Sequence, residues 1–182
     1  MSKNGLILLT PTSIAYTGTS ATISANGSVS FTAVTQLRLN GVFSADYDNY
    51  MIVMRASNPV APNNLYHRYS VGGVDNTDSS FTQQRMRAGG TSVTADRASS
   101  LNQTRFTEIY TTLKWGLVFY CYGPYLTQPT ASRTTGVTTT SSAGIHEYAT
   151  THSGSISFDG INLYPDGGDN ISGRVAVYGM RK

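Results

Sequence analysis

The chain has one cysteine, Cys121, in 182 residues. An intrachain disulfide is therefore impossible, and a metal centre built from several cysteines is excluded. Glutamate occurs twice and lysine three times, so residues that favour helices are scarce. Serine and threonine together fill 45 positions, and tyrosine fills 12. This composition predicts strands and turns rather than helices.

Long apolar runs are also missing. The run Leu6–Leu9 has four apolar residues, and Pro11 follows closely. Four residues are far short of the hydrophobic region of a signal peptide and of a membrane span. We therefore expect neither a signal peptide nor a membrane partner.

The net charge of +3 arises from ten arginines and three lysines against ten acidic residues. The arginines are scattered along the chain, whereas nucleic-acid binding favours a basic cluster or stripe. We therefore expect no nucleic-acid partner. The preference for arginine over lysine suits planar contacts at protein interfaces.

The length fits one domain, and about ten short strands alternate with turn signals at the spacing of sandwiches and barrels. Leu113–Gly123 alternates like a central strand, and Tyr50–Arg55 is apolar at nearly every position, as in a strand covered on both faces. Ala88–Gln103 and Asn58–Asn64 read as loops. We predict an all-β fold: an antiparallel, jelly-roll-like β-sandwich over residues 31–182 with an extended N-terminal arm, residues 1–30.

The predicted arm has single apolar residues separated by Ser, Thr, Gly and Ala. Such a segment carries little register information, so we expect it to need a partner surface to become ordered. Its apolar positions are the candidate partner-binding residues: Leu6, Leu8, Ile14 and Tyr16.

Residues that could hold a metal ion do not form a recognised site. The aspartates at D-x-D and Gly-Gly turns suit turn geometry better than calcium ligation: Asp46, Asp48, Asp166 and Asp169. His67, His146 and His152 lack the spacing of a zinc site, and we interpret them as surface or hydrogen-bonded side chains. We expect no metal and no cofactor.

Catalytic patterns are missing as well. The sequence has no G-x-S-x-G motif and no phosphate-binding loop, and no spacing selects a pair of carboxylates. Cys121 lies in the most hydrophobic predicted strand, where a thiol is usually inert. The chain is therefore predicted not to be an enzyme, with no catalytic residues.

Seven tyrosines permit two interpretations. They could form an aromatic platform for sugars or for a protein, or they could line the edges of a sandwich core with their hydroxyls in water. They are Tyr47, Tyr50, Tyr66, Tyr69, Tyr120, Tyr122 and Tyr125.

Two segments resemble small virion proteins of tailed bacteriophages, cyanophages among them. Leu39–Val53 reads LNGVFSADYDNYMIV and is similar to their stretch LNGVFTxxYDNYxIV. Ile171–Gly179 reads ISGRVAVYG and is similar to their ending G-x-(I/V)-x-V-Y-G. In the first segment a strand, a tight turn and a buried strand are predicted, with a structural turn signature at Asp46, Tyr47, Asp48, Asn49 and Tyr50.

The resemblance implies a non-enzymatic structural protein, assembled in the host cytoplasm and located on the surface of the virion. A capsid decoration or cement protein is the leading interpretation, bound as a homotrimer to the major capsid protein or to other virion proteins. The alternatives are a tail fibre or receptor-binding tip and a carbohydrate-binding module. For these, a host-surface glycan is a further partner.

Overall fold

The computed structural model describes residues 5–57, 63–109, 114–138 and 144–181. Within these ranges the chain forms fourteen strands and one short 3₁₀ turn, Asp166–Gly168, but no α-helix. No helix in the described ranges could therefore cross a membrane. The strands are β1 (Leu6–Leu9), β2 (Ser13–Ile23), β3 (Val29–Asn40), β4 (Asn49–Ser57), β5 (Asn63–Val71), β6 (Val74–Asp75), β7 (Phe81–Gly89), β8 (Ser92–Leu101), β9 (Thr104–Ile109), β10 (Lys114–Tyr122), β11 (Thr130–Thr138), β12 (Ile145–His152), β13 (Gly160–Pro165) and β14 (Ile171–Met180).

All strand pairs are antiparallel, and they link the strands into one strongly curled, half-barrel sheet. The order is β6-β5-β13-β3-β14-β4-β10-β11-β12-β7-β8, while β1 pairs with β14, β2 with β3, and β9 with β5. Strand β3 changes partner along one edge, from β14 near its start to β13 near its end. The prediction of an all-β, antiparallel fold is confirmed.

The curl brings β9 against the inner faces of β11 and β7. Gly136 of β11 has no room for a side chain, because a Cβ there would lie 2.4 Å from Thr107 Oγ1 on β9. On the other side, Gln83 Nε2 of β7 donates a hydrogen bond to the Arg105 carbonyl of β9 at 2.9 Å. Strand β9 therefore forms part of a second layer over the sheet.

The core lies inside the curl and is rich in aromatic rings. The rings of Phe106 and Phe119 are 4.7 Å apart, and those of Tyr69 and Phe158 are 4.9 Å apart. The predicted alternation of the central strand β10 is confirmed, because its inward residues are buried: Trp115, Leu117, Phe119 and Cys121. Burying a side chain such as Leu117 or Phe119 adds roughly 1.5–3 kcal/mol of hydrophobic stabilisation.

The N-terminal segment is paired with the chain's own strands, contrary to the expectation that it needs a partner surface to become ordered. Strand β1 pairs with β14, and β2 pairs with β3 along most of its length. The predicted boundary at residue 30 falls inside β3. Strand β2 is nevertheless mostly exposed, and Ala21 is its one buried residue. The division into an arm and a domain stays a prediction.

Two predicted loops have different outcomes. Ala88–Gln103 was predicted as a loop, and this is wrong because it contains β8, which forms a hairpin with β7. Its predicted exposure is confirmed, since every residue of β8 before Leu101 is exposed. Because neither face of β8 is covered, its sequence has no apolar alternation that would signal a strand. Most of the predicted loop at Asn58–Asn64 lies outside the described residues.

Candidate functional site

The side of the sheet that faces away from the core carries many apolar and aromatic side chains. Tyr50, Ile52 and Met54 point into the core, so the residues between them on β4 point outward. We use the name outer face for the outward side of β1, β14, β4, β10 and β11. Its apolar and aromatic residues are Leu6, Leu8, Met51, Val53, Val118, Tyr120, Tyr122, Ala131, Val137, Ala176, Tyr178 and Met180.

Strand register makes this outer face continuous across the five strands. Val53 lies opposite Val118 on one neighbouring strand and opposite Ala176 on the other. Tyr122 and Leu6 are 43% and 49% exposed, respectively, which is high for large apolar side chains. On β11 the apolar surface is broken, because Thr135 and Arg133 lie opposite Val118 and Tyr120. Large exposed apolar patches are uncommon on soluble monomers.

Two arginines interrupt the apolar surface at one end of the outer face. Arg55 and Arg174 lie opposite each other in register, at the edge of a shallow cavity of about 510 Å³. Arg174 donates hydrogen bonds from Nε to Ser28 Oγ at 2.8 Å and from Nη2 to Asn26 Oδ1 at 3.2 Å. Neither guanidinium forms an ion pair with a carboxylate of the described residues. Since like charges opposite each other are unfavourable, an acidic group from a partner would stabilise this position.

The predicted partner-binding residues fall on two different surfaces. Leu6 and Leu8 lie on the outer face beside Met180 and Tyr178. Leu8 also lines the cavity that contains Arg55 and Arg174. Ile14 packs against the core, while Tyr16 on β2 is 44% exposed. The structure therefore brings Leu6 and Leu8 together with the outer face and separates them from Tyr16.

The predicted turn signature is organised by a buried tyrosine. Tyr50 Oη accepts a hydrogen bond from the Ser44 N–H at 2.7 Å and lies within donor distance of the carbonyls of Ser44, 2.8 Å, and Tyr47, 3.1 Å. Burial raises the pKa of Tyr50. The Asp46 carboxylate accepts a hydrogen bond from Ser44 Oγ at 3.3 Å. The sequence analysis missed the role of the Tyr50 hydroxyl, although the position of Tyr50, six residues after Ser44 in the turn, could have indicated it.

A cluster of charged residues joins β9 to the sheet. Glu108 of β9 pairs with Arg85 Nη1 at 2.6 Å and with Arg87 Nη1 at 3.2 Å, both on β7. His146 Nδ1 of β12 is 3.5 Å from the same carboxylate, and Arg85 also pairs with Asp96 of β8. The Glu108 carboxylate and the Arg85 guanidinium therefore join four strands, β7, β8, β9 and β12.

The electrostatics of this cluster favour a structural role over a catalytic one. Burial alone would raise the pKa of Glu108, but positive charge on His146 when protonated, on Arg87 and on Arg85 outweighs it and lowers the pKa. Burial lowers the pKa of His146, so its imidazole is neutral near pH 7. Glu108 is thus an ionised carboxylate held by two guanidiniums, and His146 is too buried to reach a substrate.

The other two histidines are also inside the fold, so of the two alternatives, surface or hydrogen-bonded, the surface one does not apply. His67 is enclosed by aromatic rings and lies 3.3 Å from Thr104 Oγ1, and its burial lowers the pKa to about 3. His152 Nε2 lies 3.1 Å from Asn76 Oδ1, so the hydrogen-bonded alternative describes these two side chains. Both side chains point into the core, and the sequence alone does not show which strands cover them.

Cys121 lies in the core, whereas the tyrosines are spread over the core and several surfaces. Cys121 is buried, and its burial raises the pKa of the thiol to about 12, which is what an inert packing residue requires. The seven tyrosines do not share one platform. Tyr50 and Tyr69 are in the core, Tyr120 and Tyr122 lie on the outer face, and Tyr66 stacks on Tyr164.

Chelation by EDTA is expected to leave the melting temperature unchanged. The described residues include no group of three or more His, Cys, Asp or Glu side chains placed to hold a metal ion. Differential scanning calorimetry with and without EDTA tests this expectation. A fall in melting temperature that added calcium reverses would contradict it, because a bound ion stabilises the folded state.

Comparison with known proteins identifies no family. No protein-family model matches the chain, and no curated protein matches it. A protein of unknown function from Shewanella oneidensis MR-1 shares 9% identity with a TM-score of 0.28, over 96% of this chain and 79% of that chain. Domain 4 of AbnA, a GH43 extracellular arabinanase from Geobacillus stearothermophilus solved with arabinotriose, shares 10% identity with a TM-score of 0.28, over 97% of this chain and 82% of that chain. Both scores are too low to support an argument about function.

Proposed function

We propose that this chain is a non-enzymatic structural protein of a tailed-bacteriophage virion, a capsid decoration or cement protein that binds the particle surface as a homotrimer. The observation that carries the proposal is the outer face, where strands with a fully buried inner side also bear apolar side chains outward. A single copy leaves this surface in water. Association with other copies buries it and removes the cost of its hydration.

The resemblance of Leu39–Val53 and Ile171–Gly179 to small virion proteins supports the same assignment. Both segments contribute to the outer face, through β4 and β14, and these two strands are hydrogen-bonded neighbours. We propose further that the curled sheet and its second layer correspond to a jelly-roll-like sandwich. In a ring of copies the outer face meets a different surface of the next copy, which closes into a trimer when the rotation is threefold.

Attachment to the particle would use the neighbouring arginines. Arg55 and Arg174 form no ion pair with the described carboxylates and are flanked by Leu8. An acidic side chain of the major capsid protein or of another virion protein would fit between them, because arginine forks bind carboxylates through paired hydrogen bonds. The tail fibre or receptor-binding tip remains the alternative. Many copies over the capsid surface favour decoration, and a few copies confined to the tail favour the alternative.

Replacing Tyr122 with lysine is expected to abolish trimer formation and to reduce particle occupancy at least tenfold. The substitution places a charge on the outer face, and burying an unpaired charge is strongly unfavourable. Tyr16→Lys is the matched control, because Tyr16 is 44% exposed and Tyr122 is 43% exposed, but Tyr16 lies on β2. Light scattering measures the oligomer, and binding to particles that lack the protein measures occupancy.

Three outcomes would contradict this proposal. The parent chain could be a lone 19.5 kDa monomer in solution with isolated copies on the particle. Tyr122→Lys could assemble like the parent. Tyr16→Lys could lose assembly while Tyr122→Lys retains it, which would assign the contact to β2 rather than to the outer face.

A further inference from the structure

A polar cleft of about 560 Å³ lies where the hairpin of β7 and β8 meets the second layer. We call it the hairpin cleft. One wall is formed by the end of β8 and the turn that follows it, and the other by Tyr66 on β5 and Arg105 on β9. The volume suits one or two rings of a small polar ligand. The cleft lies apart from the outer face, whose residues are on other strands.

The side with Tyr66 is joined to the turn after β8 in advance of any ligand. The rings of Tyr66 and Tyr164 stack at 6.2 Å, and Tyr164 Oη donates a hydrogen bond to Gln103 Oε1 at 2.7 Å. Arg68 holds the turn from the other side, with Nη2 donating to Gln103 Oε1 and Nε donating to the Asn102 carbonyl, both at 3.0 Å. Because these side chains are already fixed, a ligand would not need to order them on binding.

The opposite wall contains an unusual backbone feature. The register between β7 and β8 shifts between Phe81 and Gln83, which marks a β-bulge in β8. In this stretch Ser100 has a φ of 55°, a left-handed conformation that a non-glycine residue rarely adopts. Bulges and such residues concentrate at binding sites, where they turn a side chain or a backbone group toward a ligand. Ser100 lines the hairpin cleft.

The charge of the hairpin cleft is positive. Asp96 is neutralised by its ion pair with Arg85. Arg97 and Arg105 also line the cleft, and neither forms an ion pair with a carboxylate of the described residues. Two unpaired guanidiniums favour a ligand that carries an anionic group, above all a planar carboxylate that can accept two parallel hydrogen bonds.

We infer that the hairpin cleft is a binding site for an acidic oligosaccharide, one that carries carboxylate or sulfate groups. The ring of Tyr66 offers an apolar face for the C–H side of a sugar ring, while Arg97 and Arg105 take its acidic group. The side chains of Ser79, Ser100 and Asn102 supply hydroxyl and amide groups for the sugar hydroxyls. This site is complete within a single copy, so it goes beyond the proposed role in assembly and does not depend on it.

The test uses the full chain on an array of uronate, sialyl and sulfated oligosaccharides with their neutral counterparts. Titration calorimetry then measures affinity for the strongest array ligand. We expect acidic members to bind and neutral counterparts to bind at least tenfold more weakly. Tyr66→Ala, Arg97→Gln and Arg105→Gln are each expected to reduce affinity at least tenfold. Arg97 lies on an exposed strand, so Arg97→Gln keeps the test valid even if Tyr66→Ala impairs folding.

Matched controls separate this site from other arginines and tyrosines. Arg55→Gln and Tyr122→Ala change the same residue types on the outer face and are expected to leave sugar affinity unchanged. Equal binding of neutral and acidic oligosaccharides, equal binding of polyglutamate, or no binding to any array member would each overturn the proposal. So would parental affinity in Arg97→Gln. Assembly and particle occupancy of Arg97→Gln are expected to match the parent, so this test and that of the virion role can fail separately.

Discussion

Lowering the pH from 7 to 4.5 is expected to reduce the free energy of unfolding by about 2–3 kcal/mol through His67 alone, at about 1.4 kcal/mol for each pH unit below the ordinary pKa. Burial lowers the pKa of His67 from 6.5 in the unfolded chain to about 3 in the fold. Between these values the unfolded chain binds more protons than the folded chain, so acid favours unfolding. The stabilisation is complete above pH 6.5 and is lost as the pH falls toward 3.

The surroundings of His67 offer no way to accommodate a charge. Its ring is 5.1 Å from the ring of Phe106 and 5.2 Å from that of Phe119, and its polar neighbour is the hydroxyl of Thr104. Burial also lowers the pKa values of His146 and His152, so these residues add to the acid sensitivity in the same direction. Protonated His67 would be a buried charge for which the described residues supply no counter-ion.

His67→Gln provides the control, because glutamine has a similar volume and does not titrate. Urea unfolding at pH 7.0, 5.5 and 4.5, at one protein concentration, measures the pH dependence of each chain. The variant is expected to lose about 2–3 kcal/mol less than the parent between pH 7 and 4.5. The same pH dependence in both chains would show that His67 is protonated within the fold and would contradict the argument.

The sequence predicted those elements whose pattern reflects burial. Strand β10 alternates large apolar residues with others, and the structure buries one side of it in the core. The apolar residues of β4 on both sides predicted a strand with two apolar faces, and the outward residues include Val53 at 38% exposure. In both cases local spacing is enough, because side chains alternate across a sheet whatever the topology.

Other features depend on which strands the curl brings together, and local spacing carries no information about that. Glu108 meets Arg85, Arg87 and His146 only because β9 crosses the inner face of β7 and β12. The hairpin cleft likewise combines residues of β5 and β8. Strand β8 gave no signal because both its faces are in water, so its composition resembles that of a loop. The hairpin cleft is therefore the part of the molecule that the sequence predicted least.

The chain has two glutamates, and their environments predict very different effects on stability. Glu147 on β12 pairs with Arg133 Nε at 2.9 Å, and the arginine side chain is 64% exposed. Glu108 is buried between layers and holds two arginines. Exposed ion pairs contribute about 0–1 kcal/mol, whereas removing one partner of a buried pair costs about 3–5 kcal/mol.

Glu108→Gln is therefore expected to destabilise the fold by about 2–4 kcal/mol at pH 7, somewhat below the fully buried limit because the Arg87 side chain is 43% exposed. Glu147→Gln is expected to cost less than Glu108→Gln, because the arginine that pairs with Glu147 is mostly exposed and its charge is screened by water. Chemical denaturation of both variants at one protein concentration measures the difference. Burial raises the pKa of Glu108, but the positive charges of protonated His146, Arg87 and Arg85 outweigh it and lower the pKa. The contribution of Glu108 is therefore complete above the ordinary value of 4.5 and is lost as the pH falls below it. The difference in unfolding free energy between the parent and Glu108→Gln should therefore persist at pH 5.5 and narrow only at lower pH. Equal losses in the two variants at pH 7 would show that Glu108 does not tie β9 to the sheet.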